Sequence, residues 1–383
     1  MLVDQIEQDD AKRNPVGKLG RLSELLERSG IDLDTVSRVT KVKAWQGFHK
    51  DNDGEAQTVD MVGLEFVPSW ADGPEWPVVT QARPVTAKPR PRPTVTHAST
   101  TTVILPDPQI GFRRYEDGTL DPFHDERAIE LSLQIIRDAK PDRIVNLGDT
   151  LDFPEWSSKF LVLPEFVLTT QPTIDRAHRY LAEQLTDAPD GCESVLFEGN
   201  HDNRLGVWIA KNAMAALRLR QANAPESWPV MSAQHLLRLA ELGVTYVDGY
   251  PAGRLRLAAG NDEQTPLVAK HGEGTSMQTI AKKERQSYVQ GHGHHIAIHY
   301  ETFELDGERV TVSAWTPGCL CRTDGVVPST KGGTSATGRP VRRQEGWQQG
   351  LGVLTVHADG SYAQEQIEIR SGRAIWRGKE YRS

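Results

Sequence analysis

An α/β fold, preceded by a small helix-plus-hairpin module, is what the sequence predicts, and three observations predict it. From about residue 98 onward, short apolar runs of strand character alternate with stretches of helical periodicity. After Gly291 only alternating strand patterns follow, which implies a second, largely antiparallel sheet. Between Ser69 and Pro93 stand Pro74, Pro77, Pro84, Pro89, Pro91 and Pro93, a density that bars helix and central strand and marks a semi-rigid linker. The expected organisation is therefore a module at 1–70, a linker at 71–97 and a main domain at 98–383.

The composition sets outer limits. A chain of 383 residues, 38% hydrophobic and 25% charged, can bury a sizeable core and is of ordinary soluble type. The net charge of -8 argues against a broadly basic nucleic-acid surface, though not against a local one. Cys192, Cys319 and Cys321 form no disulfide framework and suit a reducing compartment. The start, Met1-Leu2-Val3-Asp4-Gln5, turns acidic too soon for a signal peptide, and no apolar run is long enough to span a bilayer. A cytoplasmic protein with no membrane contact is the expectation.

Taken in order, a helical pattern runs from Pro15 through Leu19, Leu22, Leu25 and Leu26 to a stop at Gly30. Val36 to Phe48 and Thr58 to Phe66 alternate as strands around the turn signature Lys50-Asp51-Asn52-Asp53-Gly54. So small a module has no secure core of its own and is expected to dock. It could bind DNA or a partner protein, or be a plain structural appendage. Arg83, Lys88, Arg90 and Arg92 make the linker locally basic, for solubility in preference to nucleic-acid contact. In the main domain, strands are expected at Val103 to Leu105, Arg143 to Leu147, Val195 to Phe197, Leu267 to Ala269 and Tyr288-Val289. Helices are expected at Asp125 to Ala139, Ile174 to Leu185, onward from the third strand through Leu219, at Ala233 to Leu242 and at Met277 to Glu284. The later strands are Ile296 to Phe303, Val310 to Ala314, Gly352 to Val356 and Ala363 to Ile369, with a Gly/Ser/Thr loop from Ser329 to Gly338. No internal repeat is present.

Five of these strands deliver ligand-type residues just past their ends. They are Asp107-Pro108-Gln109, Gly148-Asp149-Thr150-Leu151-Asp152, Gly199-Asn200-His201-Asp202, His271-Gly272-Glu273 and Gly291-His292-Gly293-His294. Any one of these residues alone would be read as a hydrogen-bonded turn residue. Five such ends in one chain are a different matter. Ligands in α/β sheets bind beyond the carboxyl ends of strands, and catalytic and metal sites gather Asp, Asn and His from separate ends.

In this order the segments resemble the calcineurin-like metallophosphoesterases, whose pattern is Asp-x-His, Gly-Asp-x-x-Asp, Gly-Asn-His-Asp/Glu, a lone His and Gly-His-x-His. The resemblance covers roughly Thr101 to His299. The tail, with Thr316-Pro317-Gly318-Cys319-Leu320-Cys321-Arg322 and Trp347-Gln348-Gln349-Gly350, looks like a phage and prophage branch. The resemblance implies a two-sheet sandwich flanked by helices and two divalent metal ions. One ion would use Asp107, Gln109, Asp149 and His294; the other would use Asp149 as bridge with Asn200, His271 and His292. His201 would sit outside the metals, as proton donor to the leaving oxygen or as a transition-state contact, with Asp152 orienting a neighbour. Gln109 departs from the pattern, which has His. An amide oxygen is the harder ligand and should favour Mn²⁺ or Mg²⁺ over Zn²⁺, with Fe²⁺ a further candidate.

The chemistry is coherent without the family name. Two divalent ions bring +4 and Asp107 and Asp149 return -2, which leaves a net positive site for a phosphate. Water activated to hydroxide by both ions then attacks phosphorus, with a protonated His201 stabilising the leaving oxygen. The expected function is metal-dependent phosphoester hydrolysis, with a phosphodiesterase or nuclease acting on nucleic acid favoured. A phosphomonoesterase on nucleotides or phosphoproteins is the alternative, and a binding protein with a decayed site a further one. Arg204 is either a phosphate contact or half of a surface ion pair. Trp347 could stack on a base, though core packing is favoured. His295 is expected to be a satisfied histidine, Glu273 a loop carboxylate, and Cys319 and Cys321 structural thiols.

Overall fold

The computed structural model describes residues 36–50, 56–68, 99–157, 162–261, 264–305, 307–328 and 346–383. These fall in two units, within Met1–Pro84 and within Val85–Ser383. In the first, β1 (Val36–Lys50) and β2 (Ala56–Pro68) pair antiparallel along their length, with register shifts near Val36 and Val39. The helix expected from Pro15, the turn at 51–54, the linker at 71–97 and the loop at 329–338 lie outside the described residues.

The second unit runs β3 (Ser99–Leu105), β4 (Phe112–Arg114), β5 (Leu120–Pro122), α1 (Glu126–Ala139), β6 (Arg143–Asn146) and α2 (Thr170–Asp187). It continues with β7 (Glu193–Phe197), α3 (Arg204–Asn212), α4 (Ala233–Leu236), α5 (Leu239–Leu242), β8 (Thr245–Val247), β9 (Leu255–Ala258) and β10 (Leu267–Lys270). Then come α6 (Met277–Glu284), β11 (Ser287–Gln290), β12 (Ile296–Leu305), β13 (Glu308–Pro317), β14 (Gln349–His357), β15 (Tyr362–Arg370), β16 (Arg373–Trp376) and β17 (Lys379–Arg382). Among the described residues no helix is long and apolar enough to cross a membrane.

Two sheets carry this unit. One has eight strands in the order β17-β16-β15-β14-β3-β6-β7-β8; the other has five, β12-β13-β11-β10-β9. Strands β3, β6, β7 and β8 are parallel, as are β10, β11 and β13, and antiparallel strands flank both runs. Successive side chains of a strand point to opposite faces. Val103, Leu105, Ile144 and Leu196 accordingly join a core with α1 and α2, while Ile104, Val145, Val195 and Phe197 join a second core. That second core also holds Leu267, Ala269, Val289 and Trp315 of the five-stranded sheet, so the sheets face each other. Strands buried on both faces read as unbroken apolar runs, which is why they were legible.

Local chemistry explains the helices. In α1, Asp125 accepts the Arg127 amide N–H at 3.0 Å, Lys140 closes the other end in a left-handed conformation, and Ala128, Ile129, Leu131, Leu133, Ile135 and Ile136 are buried. Two expectations fail. The helix after β7 stops at Asn212, followed by a single 3₁₀ turn, because Met214, Leu217 and Leu219 have no core to meet and are exposed. Ala233 to Leu242 forms two short helices rather than one, broken where Arg238 takes φ 54°. Strands β4, β5, β8, β9, β16 and β17 were not anticipated; each has only three or four residues.

Candidate metal centre

Asp107 and Gln109 follow β3, Asp149 and Asp152 follow β6, and Asn200 and His201 follow β7. His271 follows β10, and His292 and His294 follow β11. All five strands run parallel to a neighbour within their sheets. The loops after them meet. Gln109 N–H donates to Asp149 O at 2.9 Å, and His292 N–H donates to the Asp107 carboxylate at 2.9 and 3.0 Å. His201 N–H donates to Asp149 Oδ1 at 2.8 Å.

This convergence is held against local preference. Asp107, Gln109, Asp149, His292 and His294 all have positive φ, between 37° and 63°. Such conformations cost about 1 kcal/mol or more each and gather at functional sites, where surrounding structure over-determines them. Two glycines permit the close approach. A Cβ on Gly199 would lie 2.2 Å from Asp149 N and Oδ1, and one on Gly291 would lie 2.3 Å from Asp107 Oδ2.

At one position, ligand-type atoms face one another. His271 Nδ1 donates to Leu147 O at 2.8 Å, which turns Nε2 inward, 3.1 Å from Asn200 Oδ1 and 3.4 Å from Asp149 Oδ1. His292 Nδ1 lies 2.7 Å from the same Asn200 oxygen. Ligand bonds of about 2.0–2.2 Å place neighbouring ligand atoms about 3 Å apart around one cation, so this set fits a divalent ion. At the second position, ligand atoms of Asp107, Asp149 and His294 lie within 4.8 Å of one another, with His294 Nε2 3.4 Å from Asp107 Oδ1. Gln109 turns its amide nitrogen toward His294 Nε2 at 3.3 Å, and its oxygen is buried without a partner. Half a turn of the amide would present that oxygen as a ligand.

The electrostatics fit the same reading. Burial resists ionisation of Asp149, yet His201 and His271 outweigh it and hold the carboxyl well below its usual range. Burial likewise opposes charge on His271, but Asp149 beside it raises the imidazole to about 9. Burial, helped by His271, lowers His292; for His294 the Asp107 carboxylate overcomes burial and raises it.

Beside these lies a separate trio. His201 Nδ1 is 2.7 Å from Asp152 Oδ1, and Arg204 Nη2 lies 2.9 Å from His201 Nε2. Arg204 Nη1 also donates to Asp152 O. His295 Nδ1 donates to Gly346 O at 2.7 Å, Glu273 is exposed, and Trp347 packs edge-on against His294 at 4.1 Å between ring centroids.

Asp202, to which sequence reasoning gives no role, is fully interior and accepts amide N–H groups from Gly199 at 2.8 Å, Leu151 at 2.8 Å and Thr150 at 3.3 Å. It ties the second and third loops together, and burial with Asp149 nearby pushes its carboxyl up to about 7. Its only sequence signal is its place as last residue of Gly199-Asn200-His201-Asp202. Buried Cys319 and Cys321 also lie here, with His294.

No family model matches the chain. The Gene 54 proteins of Mycobacterium phages D29 and L5 are each 24% identical to it over 266 residues, covering 66% of this chain and 91% of theirs. Among solved structures, TT1561 of Thermus thermophilus aligns at 9% identity over 70% of this chain and 98% of its own, with a TM-score of 0.26.

Proposed function

We propose that this protein hydrolyses phosphoesters at a centre for two divalent cations, and that its substrate is a phosphodiester, nucleic acid in particular. The observation that carries this reading is the meeting of Asp149, Asn200, His271 and His292, four ligand atoms turned toward one another, next to Asp107 and His294. Two cations bound there supply Lewis acidity, which offsets phosphate charge and acidifies water. The remaining chemistry belongs to the side chains.

Asp152 holds His201 by its Nδ1–H, which directs Nε2 into the site beside Asp149. Arg204 Nη2 lies 2.9 Å from that Nε2. An arginine bonds a phosphate more strongly than an imidazole, because both partners are then charged. Substrate therefore draws Arg204 onto a phosphate oxygen and leaves Nε2 free to pass its proton to the leaving oxygen. Arg204 thus couples substrate capture to the acid role of His201.

Nucleic acid is favoured by β1, which carries Arg38, Lys41, Lys43 and Lys50 and no acidic residue. The net charge of -8 favours a second reading, a phosphomonoesterase on nucleotides or phosphoproteins. Metal-depleted protein reloaded with Mn²⁺ should cleave bis-(p-nitrophenyl) phosphate faster than the monoester, and should cut single- or double-stranded DNA. Preference for the monoester would select the second reading. No turnover with Mn²⁺, Mg²⁺, Fe²⁺ or Zn²⁺ would leave a binding protein with a decayed site.

A further inference from the structure

Beside His294 lies a pair of sulfur atoms. Cys319 and Cys321 follow β13, and both are fully buried. Their shared side of the chain is set by alternation: the two cysteines pack in one cluster with Phe123 and Phe166, while Leu320 between them packs into the core of the larger sheet. The segment is stitched to the centre. Leu320 N–H donates to Asp107 O at 3.2 Å, Cys319 N–H donates to Gln348 O at 3.0 Å, and Gln349 Nε2 donates to Cys321 O at 2.9 Å. Ligand atoms of Cys319, Cys321 and His294 all lie within 4.8 Å of one another.

One buried polar atom of this cluster, His294 Nδ1, has no hydrogen-bond partner. Leaving such an atom unsatisfied costs about 1–3 kcal/mol, so a fold that places it here calls for something that would pair it. Two thiols are poor candidates, since S–H is a weak donor and sulfur a weak acceptor. Cys319 Sγ lies 3.5 Å from Gln348 O, a weak thiol hydrogen bond. A cation at bonding distance deprotonates a coordinating thiol outright.

We propose that Cys319, Cys321 and His294 form a thiolate-containing site for a soft divalent cation of the zinc type, adjoining the carboxylate positions and meeting them at His294. Binding forms two sulfur–metal bonds and one nitrogen–metal bond to His294; both thiol protons go to solvent, as does the His294 ring proton when both of its nitrogens hold cations. The site reverses the preference that Gln109 alone suggests, because paired thiolates select Zn²⁺ over Mn²⁺ and Mg²⁺. It takes from the proposed function only the placement of His294 at the centre.

The full-length protein, stripped with chelator under reducing conditions and given one equivalent of Co²⁺, should show a thiolate-to-cobalt charge-transfer band. With Zn²⁺, X-ray absorption should show a sulfur shell near about 2.3 Å. Cys319→Ser/Cys321→Ser should lose both signals. Asp149→Asn should keep both while losing hydrolysis, so a failure of the phosphoesterase reading is seen separately from a failure of this one. Only nitrogen and oxygen ligands around Zn²⁺ in the unaltered protein would overturn the proposal, and that result needs no variant to fold. A cobalt band that persists in the folded double variant would overturn it equally.

Discussion

Near neutral pH the imidazole of His271 holds a proton that a cation must displace. Its folded-state value of about 9 lies above the ordinary 6.5, raised by Asp149 against the opposing effect of burial. The protonated ring therefore stabilises the cation-free fold fully below pH 6.5, and that contribution is lost as the pH rises through about 9. Since Nδ1 is committed to Leu147 O, the displaced proton is the one on Nε2. Adding Mn²⁺ to weakly buffered, cation-free protein near neutral pH should release about one proton per bound ion at this position, and affinity should climb up to about pH 9. An affinity flat over that range would contradict the assignment of His271 as ligand. Asp149 and Asp152 should separate in the same assays. Asp149→Asn removes an atom shared by both positions and should abolish Mn²⁺ binding together with turnover. Asp152→Asn leaves the ligands in place but loosens His201; it should lower kcat about 10–100-fold at nearly unchanged KM and Mn²⁺ affinity. The ligand-type residues were legible because each stands just past an apolar run in the sequence. The contact of Arg204 with His201 and the meeting of Cys319 and Cys321 with His294 were not, because each depends on how separate segments pack.

Between the residues and the fold stand the loops that end β3, β6, β7, β10 and β11, and these work as one element. Asp202 accepts amides from two of them, and Asp107 accepts the amide of a third at His292. Gly199 lies so close to Asp149 that any side chain must push the second and third loops apart. Gly199→Ala should therefore cost about 1–3 kcal/mol in the absence of cations, the range for overpacking a tight site. A second consequence is more telling. An ion at 100-fold its Kd stabilises the unaltered protein by about 2.7 kcal/mol, and the displaced Asp149 should forfeit most of that. Thermal unfolding with and without Mn²⁺ reads both effects, and a variant that keeps the full cation-dependent increment would show that the loops tolerate separation. At this scale the sequence was informative in proportion to length and burial. Strands β3, β6 and β7, buried on both faces, announce themselves as apolar runs. The exposed stretch after Asn212 does not, since Met214, Leu217 and Leu219 keep helical spacing without a surface to bury against. Short strands such as β8 and β9 exist because a neighbouring strand pairs with them, a fact outside their own residues.

For the whole molecule, every residue of the candidate centre lies beyond Ser99, in the unit that also holds both sheets. The ribbon of β1 and β2 supplies none of them. What it does supply is charge, with Arg38, Lys41, Lys43 and Lys50 on one strand of a chain whose net charge is -8. Long-range repulsion between an acidic protein and a polyanion must be overcome locally if nucleic acid is the substrate, and β1, with four cations and no acidic residue, is one place where that can happen, although β2 beside it carries Asp60 and Glu65. Deleting residues 1–70 should therefore leave turnover of bis-(p-nitrophenyl) phosphate intact, since that small diester needs only the centre. Cleavage of DNA should fall through a raised KM, with kcat at saturation little changed. Salt offers an independent reading of the same idea. Each phosphate contact contributes about 0.9 to the slope of log affinity against log salt on duplex DNA, so four lost contacts would flatten the slope by about 3.6. A deletion variant that binds and cuts DNA with an unchanged slope would assign the ribbon to some other task and return substrate capture to the neighbourhood of Arg204.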